Sequence, residues 1–239
     1  MIIQGVTLTN IKVTDASFNS SNALLYVDAG VSASYPGSGT AWTDLSTNNN
    51  SYTITGSPAF TNAGSASYFT FNGSGSQYAY ANNNLKYNQT YTGKSLIIAA
   101  RLSSISIGAF RGMFGTSSGN RNFNTYMYSP SAGVYRLHFS ANGVGGFSNN
   151  LSYTTGQWGI FTVTQTNGGL VTYYHNGQAV GTNTGITFGQ WSAGGSFESI
   201  GVADNYWLGD ISVCAVYGRT LSSDEISQNF QSLRTRYGL

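Results

Sequence analysis

The chain of 239 residues carries ten Lys and Arg against eight Asp and Glu, a net charge of +2, and only 8% of it is charged, where a globular protein has about 25%. The basic residues are scattered, without the run that a phosphate backbone demands, so nucleic acid is excluded as an expected partner. Aromatics at 14% and 31 glycines exclude a disordered chain and point to a β-rich fold with many tight turns.

No apolar run approaches the ~20 residues of a membrane-spanning helix. The opening MIIQGVTLTN lacks the basic and apolar regions of a signal peptide. Neither membrane insertion nor a secretory leader is expected. The one cysteine, Cys214, excludes an internal disulfide and lies in the apolar run GDISVCAVY, where a buried, inert thiol is expected.

Residues 1–22 read as an arm. GVTLTNIKVTD alternates, with Val6 and Leu8 on one face, then Ile11 and Val13 after a shift of phase that a bulge near Thr9–Asn10 explains. ASFNSSN is a linker by composition. The arm has too little apolar area to fold alone, and an unpaired strand is a template for another chain. It is therefore expected to anchor the protein by adding a strand to a neighbour, another protein of an assembly or an identical subunit, with a homo-oligomer as the expected state.

From Ala23 short apolar-polar runs alternate with turn clusters: ALLYVDAG, YFTFNGSGSQYAYA, KSLIIAARL, GMFGTS, NTYMYS, VYRLHFSA, WGIFTVTQ, LVTYYHNGQAVG, ESIGVA and GDISVCAVYGR. Such spacing predicts a sandwich or barrel. Asn176–Gly177 suits a type I′ hairpin turn, and His175, just before it, is expected at the surface. The ending YGRTLSSDEISQNFQSLRTRYGL predicts a helix at about 223 to 234. Ser222 and Glu225 make an S-x-x-E capping box, Leu221 and Ile226 a staple, and Ile226, Phe230, Leu233 and Tyr237 one apolar face, with Gly238 at the exit. The helix should dock on the sandwich.

Those segments carry a resemblance. The ending LGDISVCAVYGRTLSSDEI is similar to that of concanavalin A-like, laminin-G-type jelly-roll domains, ALLYVDAG…YPGSGTAWTDLSTNNN resembles their opening, YFTFNGSGSQYAYA their second segment, and QWGIFTVTQ…VTYYHNGQAVG their central hairpin. The match runs over residues 23–239. It implies an all-β fold, a two-sheet antiparallel jelly-roll sandwich with a short C-terminal helix and an extended N-terminal arm at 1–22. Domains worded this way recur in tailed-phage virion proteins, which implies a virion exterior and a capsid decoration, fibre or tail appendage. Many relatives use calcium and carry acids where this chain has Asn72 and Gln77. A calcium site is therefore doubtful, with Asp204 the best remaining ligand, and no cofactor is expected.

Glycoside hydrolysis, which some proteins of this fold perform, needs two carboxylates at a set separation. Only two Glu are present: Glu225 is used by the cap, and Glu198 has no acid two or four residues on, though Asp204 and Asp210 could approach it in space. No catalytic residue is assigned and no enzyme is expected. His138 and His175 lack metal-ligand spacing. TGITFGQWSAGG and GVADNYWLGD place aromatics beside amide and carboxylate groups, a combination that suits sugars. Trp191, Asp204, Asn205 and Tyr206 are the candidate ligand-binding residues, for a cell-surface glycan, while Trp207 reads as core. The expected function is a non-catalytic virion component displaying a lectin-like domain. A free lectin or adhesin and a glycoside hydrolase are the alternatives.

Overall fold

The computed structural model of the protein describes residues 17–81, 91–116, 123–141, 143–188 and 198–239. Among them run the strands β1 (Ala23–Asp28), β2 (Ala41–Trp42), β3 (Tyr52–Thr55), β4 (Ala59–Thr61), β5 (Tyr68–Asn72), β6 (Tyr78–Ala81), β7 (Gly93–Leu102), β8 (Phe110–Thr116), β9 (Asn124–Ser131), β10 (Val134–Ala141), β11 (Val144–Phe147), β12 (Trp158–Thr166), β13 (Val171–His175), β14 (Gln178–Asn183), β15 (Glu198–Ile200), β16 (Val202–Ala203), β17 (Asn205–Tyr206) and β18 (Leu208–Tyr217). The helix α1 (Ser223–Arg234) follows and tightens into a 3-10 turn at Thr235–Tyr237.

Two antiparallel sheets form a sandwich. The first has the order β14-β13-β12-β7-β18-β5-β4, with β1 also paired to β18; the second has the order β11-β10-β9-β8-β15-β6-β3-β2. The strand VYRLHFSA shows how the second sheet arises. Its alternate members Tyr135, Leu137, Phe139 and Ala141 are one buried face, and Val134, Arg136, His138 and Ser140 stay partly open. Period-2 alternation leaves one side packed and the other solvated.

In β7 and β18 the alternation vanishes, because both faces are covered. Leu96, Ile98, Ala100, Ile211, Cys214 and Val216 enter the main core between the sheets. Ile97, Ala99, Val213, Ala215 and Tyr217 join a second cluster, with Leu221, Ile226 and Leu233 of the helical segment. The helix therefore lies on the outer face of the first sheet, as its apolar stripe requires.

Its entry is fixed as expected. The Glu225 backbone N–H donates to Ser222 Oγ (3.3 Å), and Ser222 N–H donates to Glu225 Oε2 (2.9 Å). Arg219 grips the same carboxylate at both oxygens, 2.8 and 2.6 Å, and this bond chiefly lowers the Glu225 pKa, to about 2. Gly238 leaves the helical segment at φ 69°, and Asn176 and Gly177 turn their hairpin at φ 50° and 76°.

The expected bulge near Thr9–Asn10 and the arm through residue 16 lie outside the described residues. Residues 17–22 pack against the helix. Phe18 stacks on Tyr26 (4.5 Å, 14°), Asn19 N–H donates to Asn229 Oδ1 (2.6 Å), and Gln228 Nε2 donates to the Ser17 carbonyl (3.0 Å).

Candidate functional site

On the outer face of the second sheet the register sets side chains in rows across strands. Phe110, Tyr128 and Arg136 form one row; Gly112, Tyr126, His138 and Phe147 the next; Asn124, Ser140 and Gly145 a third. The aromatic members make a floor. Phe110 stacks on Tyr128 (4.5 Å) and meets His138 edge-on (5.1 Å), while Phe147 lies 4.4 Å from His138 and 5.0 Å from Tyr128. Phe147 is 37% exposed, which leaves ring surface for a ligand.

A wall rises over this floor. The β16–β17 hairpin lies on β8 because Gly112 and Gly115 have no side chains. A Cβ on Gly112 would stand 2.2 Å from Ala203 N, and one on Gly115 2.5 Å from Ala203 Cβ. The hairpin reverses at Asp204, which takes φ 59°, a left-handed conformation that Asp tolerates better than most residues. Asp204 and Asn205 thereby stand at a recess of about 320 Å³, lined also by Phe110, Tyr126, His138, Ser140, Gly143 and Gly145.

Hydrogen bonds hold the wall to the floor. Tyr126 OH donates to Asp204 Oδ2 (2.7 Å) and accepts from Asn124 Nδ2 (2.9 Å). Burial, then the bond to Asp204, raises the Tyr126 pKa, so the phenol keeps its proton. Burial lowers His138 to about 4, so its imidazole is neutral at pH 7. Its buried Nδ1 has no hydrogen-bond partner. The recess thus combines flat apolar faces with a carboxylate, an amide, a hydroxyl and a neutral imidazole.

Of the residues singled out from sequence, Asp204 and Asn205 line this recess. Tyr206 turns its ring toward Gly75, and its carbonyl accepts from Arg111 Nη1 (3.4 Å). Trp191 lies outside the described residues. Trp207 is buried, with Nε1 donating to the Asp210 carbonyl (3.3 Å). The floor residues Phe110, Tyr126, Tyr128, His138 and Phe147 were not foreseen. Their signal was the off-phase aromatic in NTYMYS and YRLHFS, on the side of each strand opposite its core residues.

The carboxylates are dispersed. Glu198 is 1% exposed, and burial raises its pKa well above the usual range. It alternates with Ser199 and shares a face with the core residue Ile200, whereas Asp204 stands on the opposite, outer side. Asp210 is held by Arg101 Nε (2.6 Å) and Thr70 Oγ1 (2.6 Å). Among the described residues no three His, Cys, Asp or Glu side chains converge as a metal site. Asn72 and Gln77 close a turn instead, Asn72 N–H donating to Gln77 Oε1 (2.8 Å). His175, expected at the surface, is 8% exposed and stacks on Phe161 (5.2 Å, 10°). It shares the inner face of β13 with Val171 and Tyr173, a phase that the adjacent turn concealed.

A two-sheet sandwich with an aromatic recess on one outer face defines a lectin-like jelly-roll domain. The chain belongs to the Concanavalin A-like lectin/glucanases superfamily, whose Laminin_G_3 family model matches residues 71–227. No curated protein matches it in sequence. Among solved structures it is similar to the binding domain of botulinum neurotoxin DC in complex with SialylT (17% identity, TM-score 0.64, covering 90% of this chain and 52% of that one). It is also similar to domain 4 of a GH43 extracellular arabinanase from Geobacillus stearothermophilus, in complex with arabinotriose (15%, TM-score 0.64, 87% and 98%). A third likeness is to Trypanosoma rangeli sialidase (14%, TM-score 0.65, 97% and 36%). The chain spans about half the length of the toxin binding domains it matches. At these identities the likeness is one of fold.

Proposed function

We propose that this chain is a non-catalytic glycan-binding domain that serves as an exterior virion component, a capsid decoration, fibre or tail appendage. The observation that carries the glycan reading is the floor of Phe110, Tyr126, Tyr128, His138 and Phe147 under the Asp204–Asn205 wall. Aromatic faces receive the C–H faces of a sugar ring, and the polar rim receives its hydroxyls. Two of the similar structures are named as complexes with SialylT and with arabinotriose, which is consistent with this use of the fold. The separation of Glu198, Asp204 and Asp210 supports a binding rather than a hydrolytic role, since hydrolysis needs paired carboxylates.

The virion setting draws on the resemblance of the segments to tailed-phage domains and on the course of residues 17–22. These lie along α1, on the far side of the sandwich from the recess. In the arm of residues 1–22, the described part, 17–22, stands on the face opposite the recess, which supports an attachment separated from recognition by both sheets.

The glycan test is a glycan array followed by calorimetry on the strongest hit. Phe147→Ala removes an exposed ring without touching the core and is expected to weaken binding by about tenfold, or ~1.4 kcal/mol. Unchanged affinity, or no binding by the intact chain, refutes the site. Deleting residues 1–16 is expected to leave a folded, glycan-binding protein that no longer joins the particle. Normal assembly without them refutes the anchor and leaves a free lectin as the better description.

A further inference from the structure

Beside the aromatic floor, beyond Phe147, lies a second recess of about 690 Å³ lined by Arg136, Gly146, Phe147, Ser148, Asn149, Asn150 and Asn183. It forms where the edge strands of the two sheets meet. Asn149 N–H donates to the Val180 carbonyl (2.9 Å), and Tyr173 OH lies 2.7 Å from the Gly146 carbonyl and 2.8 Å from Asn183 Oδ1. Phe147 joins the two recesses: it lines the second, and its ring touches His138 and Phe110 of the first.

The charge of this second recess is one-sided. Arg101, Arg219 and Arg236 each hold a carboxylate at 2.6 Å. Among the described residues Arg136 holds none; its Nε donates to Asn150 Oδ1 (2.7 Å). That bond orients the guanidinium and leaves the two Nη groups for another acceptor. It also occupies the acceptor oxygen of Asn150, so Asn150 has its NH₂ group to offer. Among the described residues no acidic side chain lines the recess. A fixed guanidinium fork with adjacent amide donors is the arrangement that reads a planar or tetrahedral oxyanion.

Resting on the glycan-binding reading above, we propose that the ligand is an acidic saccharide chain. One sugar lies in the recess at Asp204, the chain crosses Phe147, and a carboxylate or sulfate on a following unit is bound by Arg136 and Asn150. The site then selects a charged oligosaccharide over a neutral one of the same backbone.

The experiment uses the full chain and matched pairs: oligogalacturonates and alginate oligosaccharides against their carboxyl-reduced forms, and sulfated galactan oligosaccharides against their desulfated forms. Expected is an acidic member bound about tenfold more tightly than its neutral counterpart, the gain shrinking as salt rises. Which pair shows the gain tells carboxylate from sulfate. Arg136→Gln should erase the gain, bringing the acidic member to the affinity of its neutral counterpart. Asn150→Asp, which supplies Arg136 with a carboxylate of its own, should erase it too, in a protein whose fold the melting curve checks. Phe147→Ala should weaken both members. Equal binding of acidic and neutral chains, or a gain that survives Arg136→Gln, overturns this inference and leaves the glycan-binding reading intact. Binding of no member overturns both.

Discussion

Gly112→Ala tests whether the hairpin wall makes the site. The glycine lies in β8 without a left-handed backbone, so alanine meets no conformational penalty there and the effect is steric. The new methyl carbon would stand 2.2 Å from Ala203 N and 2.3 Å from Asn205 O, both backbone atoms that cannot swing aside. Relief requires the hairpin to retreat by about 1 Å, an overpacking that costs about 1–3 kcal/mol. A melting temperature lower by roughly 2–4 °C per kcal/mol follows for a domain of this size. The same retreat stretches the Tyr126–Asp204 bond from 2.7 Å to about 3.7 Å, beyond hydrogen-bonding range. Glycan affinity should therefore fall more than stability alone explains. Calorimetric titration well below the melting temperature separates the two. Gly168→Ala, whose methyl would meet only Thr166 Oγ1 at 3.8 Å, is the control and should be neutral in both assays. If Gly112→Ala bound glycan and melted like the native chain, the packing of the hairpin on β8 would not be what shapes the recess.

Ser222→Ala should destabilise the fold by about 0.5–2 kcal/mol through loss of the cap, read as a shift in the denaturant midpoint. Glu198→Gln should stabilise the protein, and increasingly so as pH rises. Burial raises the folded-state pKa of Glu198 above 4.5, so the folded chain holds the proton that the unfolded chain gives up, and stability drains as pH climbs from 4.5 toward the folded value; a gain that does not change with pH would contradict this. His138 and His175 act in the opposite direction. Both are lowered by burial from 6.5 to about 4, so stability present above pH 6.5 is lost as pH falls toward 4. Melting curves over that window should flatten in His138→Gln and His175→Gln variants, and an unchanged slope would refute the assignment.

Period-2 patterns were legible wherever one face of a strand is solvated, as in VYRLHFSA, and so was the helix, whose cap and stripe are local in sequence. The double burial of β7 and β18 was legible only as apolar runs, because what covers their outer faces comes from distant segments. Lys94 shows the limit. It reads as the polar start of KSLIIAARL, yet it lies on the inner face between the rings of Phe123 and Phe188, and burial lowers its pKa to about 7. The site was half visible. Asp204 and Asn205 announced themselves in a Gly-flanked turn, but the floor assembles from four strands whose register no local pattern reveals. The fate of Gly112 as a seat for another backbone depends on a partner some ninety residues away in sequence.

The place of β18 governs when the protein can fold. It occupies the middle of the first sheet, where Tyr217 pairs with Ala23 and with Ser95, and Ile211 pairs with Phe69. Until it has left the ribosome, β1, β5 and β7 have no common neighbour, and the inner face of the second sheet is without the central strand of the sheet that covers it. Such distant pairings make for slow closure and a long-lived sticky intermediate. A nascent chain arrested before residue 208 should remain protease-sensitive and chaperone-bound, and release of the segment through Tyr217 should convert it in a single step.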